Sequence, residues 1–207
     1  MVGRVSGRTL LALADLAESH GSARVRLTPH QKLLVLDVEA SRVEPLVEAL
    51  QGIGLEARPS LFRRNTMACT GIEYCKLAIV ETKGLAAKTV ATLEQRLADI
   101  ITAIDVPVTL NINGCPNSCA RIQTADIGLK GQLLGGDEFG FQVHLGGGFA
   151  SAQREAAGLG QTIRGLRVTA VDLADYVERV TRRYLSDRTD GESFAAWVAH
   201  TPEDALR

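Results

Sequence analysis

The residues of this chain best equipped for chemistry are its four cysteines, which stand in two pairs. Cys69 and Cys75 form a C-x5-C pair, and Cys115 and Cys119 a C-x3-C pair. Thiols invite several readings. A buried cysteine packs like a small hydrophobe, yet these sit beside Gly71, Gly114, Pro116 and Asn117, in turn-forming stretches rather than apolar stripes. A structural zinc site prefers closer pairs, about two to four residues between ligands, and C-x5-C is loose for it. A disulfide within each pair is geometrically open but needs an oxidising compartment. A cubane 4Fe–4S cluster takes four thiolates arriving from different directions, which two loops supply better than two helix faces. Gly71 and Gly114 would let backbone approach the inorganic sulfides and offer N–H donors to them, and Pro116 stiffens the chain inside the second pair.

These loops need a scaffold, and hydrophobic periodicity outlines one. Arg8 to His20 places Leu10, Leu13, Ala14 and Ala17 on one helical face and ends at Gly21. Strands are predicted over 24–28 and 33–38, joined tightly by Pro29-His30-Gln31. Ser41 and Glu44 read as a capping box opening a second helix, closed by Gly52 and Gly54. Residues 1–58 therefore read helix–strand–strand–helix, and two strands alone leave open edges that seek a partner. Pro59-Ser60 marks a change of unit. Residues 63–76 read as loop. A helix is predicted from Leu77, interrupted at Gly84, with Val90, Leu93, Leu97 and Ile101 on one stripe. Val108, Leu110 and Ile112 alternate as a strand that runs straight into Asn113-Gly114-Cys115. Strands follow at 127–134 and 141–145 around the turn-rich 135–138, then an irregular Gly-rich stretch over 146–165. A helix over 171–186 and a short one carrying Phe194 and Trp197 close the chain. No internal repeat is evident.

The composition narrows the class. With 207 residues, 45% hydrophobic and 23% charged, the chain is neither disordered nor low-complexity, and it can bury a real core. A formal charge of −1 gives no electrostatic case for a nucleic-acid or anionic-membrane binder. No apolar run reaches the roughly 18 residues needed to span a bilayer. The faint signal-like run at 10–14 is broken by Asp15 and Glu18, so a cytoplasmic location is expected. Arg63, Arg64, Lys76, Lys83 and Lys88 gather around the first cysteine pair and suit an acidic one-electron donor.

The segments from Met67 to Ala78 and from Asn113 to Gln123 resemble the two cluster signatures of the sirohaem-dependent nitrite and sulfite reductases. The stretches Ala125 to Gly131, Gly140 to Gly147 and Arg26 to Gln31 are similar to that family as well, and the likeness runs from Gly3 to about Trp197. It implies an α+β fold: a ferredoxin-like half-domain over residues 1–58, then an α/β cluster- and sirohaem-binding domain over 60–207. It implies that Cys69, Cys75, Cys115 and Cys119 hold a 4Fe–4S cluster, with Cys119 bridging to the iron of sirohaem as axial ligand. Sirohaem is rich in carboxylates, and Arg26 and Gln31 match the family motif as donors to them. Lys32 stands where the family often has Asn. His144 reads as an ordinary sheet histidine with no catalytic role.

Family chains are more than twice this long and built of two similar halves, and the residues that grip the anionic substrate lie in the other half. The resemblance thus implies the C-terminal part of a nitrite or sulfite reductase: a fragment, a truncated frame, or a subunit completed by an N-terminal half. Its electron donor would be ferredoxin or a similar protein. The alternative is a stand-alone iron–sulfur electron-transfer module without sirohaem. A relative in corrin biosynthesis is disfavoured by the match through Gly131 and His144.

Overall fold

A computed structural model describes residues 2–136, 138–151 and 157–207, and divides the chain into two compact units, Met1–Pro59 and Ser60–Arg207. In the first unit, α1 (Gly7–Ser19) is followed by β1 (Val25–Leu27), β2 (Leu33–Val35) and α2 (Ala40–Gly52). Ser6 starts α1 by accepting a hydrogen bond from Thr9 N at 3.0 Å. Leu13, Leu46 and Leu50 make its small core, with Leu16, Leu33, Val35, Val38, Ile53 and Leu55 packed on them. Leu10, expected inward, is exposed. The strands pair antiparallel, Arg26 opposite Leu34. Between them Thr28 Oγ1 accepts from His30 N and Lys32 N, and Gln31 turns the chain at φ 57°. The capping box is not formed. Glu39 occupies the N-cap without a side-chain bond, and the Glu44 carboxylate is taken by Arg58.

The second unit is built on a five-stranded sheet in chain order: β3 (Thr66–Ala68), β4 (Leu110–Asn113), β5 (Ile127–Gly135), β6 (Glu138–Leu145) and β7 (Gln161–Thr169). The first three strands run parallel and the rest antiparallel. One face carries Ala68, Ile112, Leu129 and Val143, each fully buried. Helices α4 (Lys83–Arg96) and α5 (Leu173–Asp187) pack on each other and on the sheet, α4 on β3 and α5 on β7. The last helix, α6 (Phe194–His200), brings Phe194 and Trp197 edge-on to Tyr184 of α5. Among the described residues no helix is long and apolar enough to cross a membrane.

Three segments depart from the sequence reading. The expected loop over 63–76 begins instead with α3 (Leu61–Asn65), capped by Ser60 and anchored by buried Phe62, and then β3. Residues 77–82 are not helical, because Ile79 N and Val80 N donate to Gly114 O, and α4 starts only at Lys83. The carboxylate of Glu81 accepts from Gly84 N and Leu85 N, so Gly84 belongs to the first turn and does not interrupt the helix. The third departure is the end of the Gly-rich stretch, from Gln161, which becomes part of β7 by pairing with β6. The register shift between His144 and Gln142 accommodates Gly165 at φ 76°. Asp137 of the predicted turn and residues 152–156 lie outside the described residues.

Candidate metal centre

The parallel pairing of β3 with β4 brings the two cysteine loops together, since each loop leaves the carboxyl end of its strand. Ala68 lies opposite Ile112, and Cys69 N extends the ladder to Ile112 O at 3.0 Å. From there the loops interlock. Gly114 N donates to Cys69 Sγ at 3.2 Å, and Gly114 O accepts from Ile79 N at 2.7 Å and Val80 N at 3.1 Å. Thr82, fully buried, donates its hydroxyl to Cys69 O at 2.8 Å and stands 3.8 Å from Cys69 Sγ.

Each loop is shaped from within as well. In the first, Gly71 adopts φ 73° and its carbonyl accepts from Cys75 N at 3.0 Å. A Cβ on Gly71 would fall 2.5 Å from Thr82 Oγ1, so only glycine fits the turn. In the second, Asn113 is fully buried and spends both ends of its amide: Nδ2 donates to Cys115 O and Oδ1 accepts from Ala120 N, each at 2.8 Å. Ser118 and Arg121 take left-handed conformations, φ 60° and 53°, and Arg121 N donates to Ser118 O.

All four cysteines are free thiols. Cys115 is buried, Cys69 and Cys75 are partly covered, and Cys119 is exposed. Among the described residues no three His, Cys, Asp or Glu side chains converge closely enough to hold one metal ion. A single zinc ion would need its thiolates about 3.8 Å apart, from Zn–S bonds of about 2.3 Å, whereas the ligands of a cubane each bind a different iron and stand wider. Four thiols from two interlocked loops, one already accepting a backbone N–H, form a donor set that suits an iron–sulfur cluster.

The remaining sequence candidates lie in the first unit. Arg26 is exposed on β1. Gln31 occupies the left-handed position of the turn, and Lys32 directs Nζ to His30 O at 2.9 Å. Of the basic residues around the first cysteine pair, Arg63 is tied to Glu94 by an ion pair. Thr82 and Asn113 were not singled out from the sequence. The available signal was a polar residue, Asn113, ending an alternating apolar strand directly before Gly114.

Comparison with known proteins defines the class. A sequence profile described as the nitrite and sulphite reductase 4Fe-4S domain matches residues 62–202, and one described as the nitrite/sulfite reductase ferredoxin-like half domain matches residues 1–53. This chain belongs to the nitrite/sulfite reductase family. It is 52% identical to sulfite reductase (ferredoxin) 1 of Mycolicibacterium paratuberculosis, covering all of this chain and 37% of that protein. It is 31% identical to the assimilatory ferredoxin-dependent nitrite reductase of Haloferax mediterranei, covering 99% of this chain and 34% of that protein. The solved structure of the Mycobacterium tuberculosis NirA protein superposes with a TM-score of 0.94 at 50% identity, over all of this chain and 38% of that one. The chain thus spans a little over a third of the curated relatives it matches. Membership carries with it the α+β fold and implies an iron–sulfur cluster and sirohaem as cofactors.

Proposed function

We propose that this chain forms the cluster- and sirohaem-bearing part of a six-electron sulfite reductase. Cys69, Cys75, Cys115 and Cys119 hold the 4Fe–4S cluster, and Cys119 is shared with the sirohaem iron. The observation that carries this reading is the interlock of the two cysteine loops through Gly114, which joins the loops bearing the four cysteines at the ends of adjacent parallel strands and puts an amide donor on the Cys69 sulfur. When bound, the cluster and sirohaem store electrons and deliver them to the anion at one iron. The protein's part is to orient the thiols. The Gly114 N–H stabilises charge on the Cys69 sulfur, and Asn113 fixes the loop from which the exposed Cys119 projects. Arg26 and Gln31 serve as donors to ring carboxylates, with Lys32 a weaker one because His30 O already engages it.

Sulfite is favoured over nitrite by the identities, 52% to a sulfite reductase against 31% to a nitrite reductase. A ferredoxin is the electron donor in this reading, supported by the names of those relatives, and the protein works in the cytoplasm. In this reading the substrate-gripping residues belong to an N-terminal half, carried on the same polypeptide or on a separate subunit. Anaerobic purification followed by iron and sulfide analysis and an absorption spectrum tests the proposal. Strong red-region bands together with acid-labile sulfide support it. A broad brown shoulder alone, after sirohaem has been supplied, supports a stand-alone electron-transfer module instead.

A further inference from the structure

The two faces of the five-stranded sheet differ in chemistry. Residues paired in register share a face. Opposite the buried apolar face, a polar row crosses four strands: Asn113 opposite Lys130, Lys130 opposite Gln142, and Gln142 opposite Arg167. Cys69, whose amide extends the β3–β4 ladder, begins this row on β3. With strands about 4.8 Å apart, Lys130 lies about 10 Å and Arg167 about 19 Å from Cys69 along the row. The loop carrying Cys119 leaves β4 at Asn113 and returns to β5 three residues before Lys130, so it borders the same face.

The charges on this face are uncompensated. On the helices of the same unit, Arg63, Arg96, Arg182 and Arg183 are each paired with a carboxylate, and so is Arg188 just beyond α5. Among the described residues neither the half-buried Lys130 nor the exposed Arg167 has such a partner. Two cations in one row without a carboxylate partner leave this face open to an anion. The neighbouring row adds an independent sign. His144 is 8% exposed, and its Nε2 has no hydrogen-bond partner among the described residues. Burial, and after it the charge of Lys130, hold this imidazole below its usual pKa, so the histidine is a neutral neighbour that does not repel a second cation.

We propose that Lys130, Gln142 and Arg167 receive carboxylate arms of the sirohaem ring, so that the polar face of the sheet, together with the cysteine loop, retains the cofactor. This rests on the reading of the cysteine loops under the proposed function. A ring attached at Cys119 brings several carboxylates to a face that offers two cations and an amide in one row, and charge-assisted bonds of that kind are the strong ones.

The test is cofactor release, measured without turnover. The 207-residue chain is loaded anaerobically with iron, sulfide and sirohaem, and the rate of sirohaem loss after dilution is followed by the absorbance that stays with the protein on rapid gel filtration. Lys130→Gln should speed release about tenfold, and Arg167→Gln, at an exposed position, about threefold. Lys130→Arg should stay near wild type, and cluster iron and sulfide should be unchanged in all variants. Unchanged release from a loaded Lys130→Gln/Arg167→Gln double variant would overturn this assignment while leaving the cysteine reading intact. Loss of the cluster along with the ring in Lys130→Gln would overturn it in favour of a structural role. A wild-type chain that keeps its cluster but takes up no sirohaem would overturn both readings.

Discussion

Gly114→Ala should damage the metal centre by overpacking the contact between the two cysteine loops. Gly114 is wedged between the first cysteine loop and β5. A Cβ there would lie 2.7 Å from Val80 O and 3.3 Å from both Ala78 Cβ and Thr82 Cγ2. Retreat is blocked on the other side, where Gly131 packs so closely that its own Cβ would be 2.6 Å from Gly114 C. The cost is steric and not torsional, because Gly114 is not among the residues with positive φ. Overpacking of this kind costs about 1–3 kcal/mol. Pushing the loops apart also lengthens the bonds from Ile79 N and Val80 N, each worth about 1 kcal/mol. A total of about 3 kcal/mol lowers Tm by about 6–12 °C for a unit of this size. Melting of the metal-free chain, followed by circular dichroism, reads this directly, and iron and sulfide analysis after reconstitution reads the cluster. Gly52→Ala is the control, since nothing lies within 4 Å of its Cβ, and it should be neutral or slightly stabilising. A Gly114→Ala chain that melts with wild type and reconstitutes a full cluster would refute the claim that this residue locks the loops.

The remaining predictions concern charge and sulfur. Cys119→Ser should abolish spectral coupling between cluster and ring and weaken cluster retention, read by electron-spin resonance and iron content; unchanged signals would remove Cys119 from the ligand set. Burial first and Lys130 second hold His144 below its ordinary pKa of 6.5, so the unfolded chain takes up this proton before the folded one. Its contribution to stability is full above that value and declines as pH falls through it toward the folded pKa. Urea midpoints should therefore show a slope below neutrality that flattens in His144→Gln, and an unflattened slope would show that other groups carry it. Reduction of the cluster by ferredoxin should slow as salt rises, through Arg64, Lys76 and Lys88; Arg63, held by Glu94, should contribute little, so Arg63→Gln should leave the salt dependence in place.

What the sequence discloses and what it hides follow from the range of the forces involved. The amphipathic helices α1, α2 and α5 and the strand core of β4, β5 and β6 announce themselves through local periodicity, whereas the α+β class comes from the family resemblance. β3 does not, because three residues have no period; Thr66–Ala68 are a strand only through pairing with β4, more than forty residues on. The false helix at 77–82 fails for the same reason. Its residues could coil locally, but Gly114 O offers Ile79 and Val80 acceptors that a helix start would lack. At the site, residue type and spacing reveal the cysteines. The residues that hold their loops in place, Thr82 and Asn113, act across contacts that spacing does not encode.

Cys119 is the most exposed of the four cysteines, yet the loop around it is held at several points. Asn113 clamps both shoulders, Cys115 O on one side and Ala120 N on the other, from a position with no solvent exposure. Ser118 and Arg121 fix the curvature with left-handed backbone, and Ser118 Oγ donates to Gln123 Oε1 at 2.5 Å. Gln123 O in turn accepts from Gly160 N at 2.7 Å, and the close packing of Ile122 O on Gly128 seats the loop on β5. Exposure here is therefore produced by constraint. A thiol held outward before any metal arrives gives up little conformational entropy on ligation and undergoes little rearrangement when the electron count changes. If Cys119 serves two metal centres, as proposed above, its thiol has to face away from the protein's own core, and the buried amide of Asn113 holds the loop that presents it.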